Sequence, residues 1–504
     1  MGLDKAFSKN SVLSELASAA MLFLRDEKVL ISPSYQAGQQ LLGNLARAGI
    51  SFINFHVATI PSLASGIAEA LIATGGLKRL PASAIGIVIE DIFNGLSDSK
   101  SLSYFQKHPI NMGIIRALSR TISELRLCGI SSSNIPQNCF PSPAKEKDIR
   151  ALLSEYEAVM GKWNFLDDAG LIALALDLIN KGETPGGKKY YIQSSYALRG
   201  LEREFIEKLC GGSLTVLPDD AVVSLPRPAG CWDVVRGKDP MPPKTDIERL
   251  PWLFATRKAP AAFKDGTIAL FSTLGHRNEI REVLRRIVAG GIPVDQAEIV
   301  HTDQKTYGDL IYSVCEKLNI SVTFSEGFAG HLTGAGRALM GFLLWLKDDF
   351  GESHLRRVLE SGGFQWKGAE KETPALSSLA YVLRVSGIGW GQDRYAMVLA
   401  KKIEEFKKEA ADLLKEGEDP SEEFLQNKIK DFSVLKEICE TLLALVPKED
   451  KDGKVEFREI CKACTGFLEA HVRVTGENDG AFKASALREL ETLAEMAESK
   501  MSFE

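Results

Sequence analysis

The amino-acid sequence predicts an α/β fold with two parallel-sheet units, each interrupted or followed by a long helical stretch. Three observations predict it. Near the N-terminus, short apolar runs rich in β-branched and aromatic residues alternate with helical patterns. The same strand–helix order returns after a proline-rich segment in mid-chain. Between and after these blocks the strand signal gives way to apolar positions spaced 3.6 residues apart.

In the first block, "KVLISPS" and "SFINFHVATI" read as buried strands, leading into helices over "QAGQQLLGNLARAG" and "PSLASGIAEALIATGG". Pro61 suits a first helical turn and Gly75-Gly76 a helix stop. Strand–helix–strand order implies right-handed crossovers and a parallel sheet. From about Ser97 to Asn180 the pattern is helical, as in "NMGIIRALSRTISELRLCGI" and "KEKDIRALLSEYEAVMGKW". Strand "KKYYIQSS", helix "ALRGLEREFIEKLCGG" and strand "SLTVLPDD" resume the sheet. The irregular run from "LPRPAGCW" to Lys264 reads as a connection. A second block follows: strand "GTIALFST", helix "HRNEIREVLRRIVAGG", strand "QAEIVHTD", helix "TYGDLIYSVCEKLN" and strand "ISVTFS". Beyond "GHLTGAGRALMGFLLWLKDD" the chain is helical and charged, and most charge in "KKIEEFKKEAADLLKEGEDPSEEF" reads as a solvated face.

At 504 residues the chain exceeds one core, so several domains are expected. The net charge of -6 argues against a surface that coats nucleic acid indiscriminately, though a local basic groove is compatible with it. The longest apolar run, near Ala338–Leu346, falls well short of the about 20 residues a bilayer span needs. "MGLDKAFSKN" has no secretory apolar core, and Ala6 breaks the myristoylation pattern. Eight scattered cysteines suit reduced thiols, so a cytoplasmic protein with no membrane partner is expected. Cys461 and Cys464 have metal-ligand spacing without a second pair; the reading taken is one buried helix face, with a metal or redox role as the alternative.

The stretch "VLISPSYQAGQQLL" stands where a strand–loop–helix nucleotide site would open. A phosphate loop reads G-x-x-x-x-G-K-[ST]. Here Ser34, Tyr35, Gln36 and Gly38 occupy the turn with no lysine and no second glycine.

The order of elements resembles the superfamily I helicase framework, nearest to the AddB-type subunit of bacterial AddAB helicase–nucleases. Two blocks carry the resemblance. In the first, Glu124, Leu125, Arg126 and Gly129 are followed by Tyr156, Asp167 and Asp168; in the second, Glu279, Ile299, Val300, Tyr307 and Ile320 stand at matching places. The resemblance implies RecA-like domain 1A over 1–96 and 186–225, helical insertion 1B over 97–185, and a connection over 226–264. It further implies a first, incomplete part of domain 2A over 265–330 and a helical 2B-like domain over 331–504. A parent with a C-terminal PD-(D/E)XK nuclease domain is implied; the chain is expected to be a fragment of it, because half a 2A sheet would expose a long edge, with an evolutionarily truncated helicase body as the alternative.

Active members of that family carry a lysine-bearing phosphate loop, acidic metal ligands and a γ-phosphate sensor. This chain has "SPSYQAGQQ" at the first place and Gln193, Ser194 and Ser195 at the second. At the third it has "LPDDAVV", where Asp219 and Asp220 lack a nearby glutamine. Neutral amides and hydroxyls are poor ligands for a hard divalent ion. The expectation is therefore a silent ATP site needing no cofactor, in a body that holds DNA or braces a nuclease domain and an AddA-type partner. An NTP-binding module with an unusual loop, and an unrelated two-domain α/β transferase, are the alternatives.

Among charged residues, Arg277, Arg281 and Arg285 on one predicted helix and Arg116, Arg120 and Arg126 on another are candidate DNA contacts. The plainer reading is an exposed basic face neutralised by Glu279 and Glu282. Tyr35 and Gln36 are read as capping and packing the helix they begin, with contact to a DNA strand at the carboxyl end of the sheet as the alternative. Asp167-Asp168 read as an N-cap and first-turn acid rather than a catalytic pair. His56, in an apolar strand, reads as a core histidine. His276 and His301 show no metal spacing.

Overall fold

The computed structural model describes residues 11–501 except 109, 138, 183–185, 219–230, 233–241, 254, 326, 368–373, 417–421, 452 and 497–499. Two compact units divide the chain, residues 1–272 and 273–504.

The first unit is built on strands β1 (Glu27–Ile31), β2 (Phe55–Ala58), β5 (Lys188–Gln193) and β6 (Leu214–Leu217), in the order β2-β1-β5-β6. All neighbours are parallel: Ile31 pairs with Ala58 and Ile192, and Ile192 with Val216. Period-two alternation sorts the side chains onto two faces. Val29, Ile31, Tyr190 and Ile192 bury against helices α3 (Ile60–Gly75), α7 (Asp168–Asn180) and α8 (Gly200–Cys210). Leu30, Tyr191, Leu217 and Phe55 bury against α1 (Ser11–Leu22) and α2 (Tyr35–Arg47). The expected parallel sheet and its helices are therefore present, with helices on both faces as parallel sheets require. Thr59 and Ser62 form the capping box that starts α3, Pro61 lies in its first turn, and Gly76 ends it at φ 63°.

Some expectations need correction. The run "SFINFHVATI" is strand only over Phe55–Ala58, because Ile60 already belongs to α3. His56 is exposed rather than in the core: β2 is an edge strand, and His56 lies at its margin while Ala58 packs on the core. Ser11–Leu22 and Ala82–Asp98 (α4), to which the pattern assigns nothing, both fold as helices. The helical region also holds a two-residue strand β4 (Phe165–Leu166), paired in parallel with β3 (Lys78–Arg79). Its other helices are α5 (Met112–Leu127) and α6 (Pro143–Trp163).

The second unit begins with α9 (His276–Ala289) and α10 (Asp309–Lys317), which share a small core of Ile280, Leu284, Ile311, Val314 and Cys315. The three runs expected as strands, "GTIALFST" at the end of the first unit and "QAEIVHTD" and "ISVTFS" in the second, form no ladder among the described residues. Backbone polar groups need partners to make a sheet; Ile299, Ile320 and Val322 pack partly against the small core, while Leu270 at 100% and Val300 at 87% exposure stand uncovered. The larger core lies in α11 (Gly334–Lys347), α12 (Glu352–Glu360), α13 (Leu376–Val385), α14 (Gln392–Glu416), α15 (Glu422–Ala444), α16 (Phe457–His471) and α17 (Glu477–Met496). Trp345 Nε1 donates to Tyr395 Oη at 2.9 Å, and Tyr395 Oη donates to the Phe350 carbonyl at 2.6 Å, so the buried polar tips are satisfied. Cys461 and Cys464 are buried on α16, where burial pushes their thiols up to about 11 and about 12. Among the described residues, no helix is long and apolar enough to cross a membrane.

Candidate functional site

In open parallel sheets, ligands bind outside the carboxyl ends of the strands where the strand order reverses. Here that place lies between β1 and β5, so the residues after Ile31 and Ile192 form the candidate site. After β1 the chain runs Ser32, Pro33, Ser34 and into α2. Ser34 Oγ accepts from the Ala37 backbone N–H at 3.2 Å, so the serine caps its own helix. This corrects the reading of Tyr35 and Gln36: both are exposed, Tyr35 at 60%, and neither caps the helix. Gly38 also has a packing role. A β-carbon there would overlap the Val57 side chain, so the glycine lets α2 lie close on β2.

After β5, Gln193 is half-buried, Ser194 fully buried and Ser195 exposed. The hydroxyls of Ser32 and Ser194 are buried without a hydrogen-bond partner among the described residues. They do not converge: strand alternation carries Ser32 to the Leu30 face and Ser194 to the Ile192 face. The chain itself covers this edge. The Trp232 backbone N–H donates to the Ser194 carbonyl at 3.3 Å, and Cys231 Sγ lies 3.6 Å from the Ser195 carbonyl. The Arg203 guanidinium stacks 4.7 Å above the Trp232 ring. No basic side chain stands in the turn between β1 and α2. Asp219 and Asp220 lie outside the described residues.

The residues that carry the family resemblance come together, and their contacts are structural. Arg126 binds Asp167 through two hydrogen bonds, Nε to Oδ2 at 2.6 Å and Nη2 to Oδ1 at 2.9 Å. Asp167 also accepts from the Gly170 N–H at 2.7 Å, as the N-cap of α7, and from Tyr156 Oη at 3.3 Å. Asp168, in the first turn of α7, pairs with Arg79 at 2.5 Å. Burial and the adjacent Asp167 carboxylate raise the Tyr156 phenol well above its ordinary value. Glu124 pairs with Arg199 at 3.2 Å, and that hydrogen bond holds its carboxyl below the usual range. Gly129 follows the end of α5 at φ 77°. Gly200, at the start of α8, has no room for a β-carbon beside the Cys128 carbonyl. Together these contacts tie α5 and α6 to the helices that cover the sheet.

In the second block Glu279 and Tyr307 meet, while Val300 stands exposed. Tyr307 Oη donates to Glu279 Oε2 at 2.9 Å, joining α9 to the turn before α10. His276 and His301 pack against the Tyr307 ring at 5.3 and 6.2 Å. Glu279 is therefore engaged by Tyr307. Glu282 binds Arg285 (Nε–Oε2 2.6 Å) and Arg286 (Nε–Oε1 2.8 Å), and the Arg285 hydrogen bond lowers its carboxyl to about 2. Arg277 and Arg281 are exposed with no ion pair among the described residues, so the expected neutralisation reaches only Arg285 of the three. Arg116 and Arg120 are exposed on α5. No group of three or more His, Cys, Asp or Glu side chains could hold a metal among the described residues.

Compared with known families and curated proteins, the chain matches no family model and no curated protein.

Proposed function

We propose that this chain is a helicase-like body without ATPase activity, serving a bacterial DNA end-processing or recombinational-repair exonuclease. It holds DNA and braces a nuclease domain and a partner motor subunit. The cytoplasm is its compartment. One observation carries the reading. The carboxyl edge of the sheet keeps the strand–turn–helix frame of a nucleotide site while its residues serve other ends: Ser34 caps α2, Gly38 packs on Val57, and Trp232 lies across β5. A β/γ-phosphate needs a lysine and a Mg²⁺ ligand, and the described turn offers neither.

Titration calorimetry with ATP and Mg²⁺ tests the silent site, and the expected result is no measurable heat. Micromolar binding would overturn it and favour the NTP-binding module. The DNA half of the reading is tested separately by anisotropy of a labelled oligonucleotide at low salt, where salt-dependent binding is expected.

A further inference from the structure

Between α9 and α10 the second unit holds a stretch of backbone with nothing to bond to. Over residues 297–302 burial alternates with a period of two: Ala297, Ile299 and His301 are half-buried, while Glu298, Val300 and Thr302 are exposed. That alternation marks an extended run with one face on a core. Ile299 packs on the cluster of Ile280, Leu284, Ile311, Val314 and Cys315, and His301 stacks on the Tyr307 ring. The outer face carries Val300, 87% exposed. Ile299, Val300, His301 and Thr302 neither donate nor accept a backbone hydrogen bond among the described residues. Residues 320–325 alternate in the same way and pack Ile320 and Val322 on the same cluster, yet give the first run no hydrogen bond. Their outer face is Ser321, Thr323 and Ser325, with no apolar side chain to cover.

Extended backbone with unpaired N–H and C=O groups is a template for a strand of another chain. We propose that residues 297–303 are a docking site for a second copy of this chain, paired antiparallel across a two-fold axis at Val300. A second copy supplies both things the run lacks, backbone partners and an apolar cover for the valine. Charge sets the register. With the axis at Val300 the two valines face each other, Glu298 of one copy faces Thr302 of the other, and Ala297 faces Asp303, so neither carboxylate meets a carboxylate. An axis between Val300 and His301 would set Glu298 against Asp303. The pairing is independent of the DNA reading above.

The test is sedimentation velocity of the full chain over a range of concentrations. A single strand pair is a small interface, so a monomer–dimer equilibrium with a Kd of roughly 10–100 µM is expected. Val300→Lys and Val300→Glu, each alone, set like charges face to face and are expected to weaken the dimer about 10-fold. Mixed in equal amounts, the two variants are expected to regain the parent's dimer, because the axis then sets a lysine against a glutamate. Val300 is already in water in the monomer, and unchanged thermal melts check the fold. Hydrogen exchange at the Ile299–Thr302 amides is expected to slow as the concentration rises through the Kd. A parent that stays monomeric well above that range overturns the proposal. So do charge variants that dimerise as the parent does, or a mixture that does not recover. Amides already protected in the dilute monomer overturn it too, and pair this run with residues 320–325 of the same chain instead.

Discussion

Arg126 and Asp167 meet where water is largely excluded, with side-chain exposures of 16% and 7%. Removing one partner of such a pair leaves the other charge buried and uncompensated. Arg126→Gln or Asp167→Ala is therefore expected to cost about 3–5 kcal/mol, read as a lowered urea midpoint for the first unit. Tyr156→Phe removes a single 3.3 Å hydrogen bond and should cost only about 1 kcal/mol. His471 gives a pH-dependent counterpart. It is 7% exposed and stacked between Phe364 and Trp366, and burial holds its imidazole below the ordinary value. The unfolded chain then binds the proton more readily, so this contribution is complete above about pH 6.5 and is lost as the pH falls towards the folded value. Thermal melts between pH 7.5 and 5 should show the decline, and His471→Phe should flatten that limb. An unchanged limb in the variant would assign the decline to other groups. The N-cap role of Asp167 was legible from its place before an apolar run. Its partner Arg126, 41 residues away, was not, because that pairing exists only once α5 packs beside α7.

Along α9, the basic stripe and its neutralising acids were both readable from i, i+4 spacing. The division of labour between the acids was not. Glu279 and Glu282 are equivalent in sequence, yet one reaches Tyr307 and the other takes Arg285 and Arg286. Glu282→Gln should release two arginines, so if α9 contacts DNA the variant should bind an oligonucleotide several-fold more tightly at low salt. Unchanged affinity and salt slope would remove α9 from the DNA surface. In α2 the turn composition announced a helix start, while the identity of the cap depended on one angle, the extended ψ of 157° at Ser34 that brings its Oγ to Ala37. Ser34→Ala should cost about 1 kcal/mol, seen as a lower urea midpoint for the first unit.

At the scale of the molecule, similar sequence patterns fold differently along the chain. In the first unit, four apolar runs find one another and bury on both faces. Three comparable runs, one at the end of that unit and two in the second, stay without a ladder among the described residues, and Ile268, Leu270 and the following Leu274 are exposed at 49%, 100% and 91%. Exposed apolar surface of this kind marks an interaction site or an aggregation liability. Leu270→Lys with Leu274→Lys is expected to reduce binding of a hydrophobic dye and self-association, with little change in melting temperature because both side chains are already in water. A marked drop in melting temperature would show instead that these side chains are covered in solution.

By itself the sequence determined the α/β class, the parallel strand–helix order of the first unit, the helical stretches, and the absence of a lysine from the turn after the first strand. Those are local properties, written in periodicity, turn residues and residue type. Only the tertiary structure decided what the remaining residues do. Gly38 matters because Val57 lies against it, Trp232 because it returns to β5, and Arg126 because Asp167 is its partner. It also decided that the runs between 266 and 325 are not strands: a strand is defined by its neighbour's hydrogen bonds, and residue pattern alone cannot supply the neighbour.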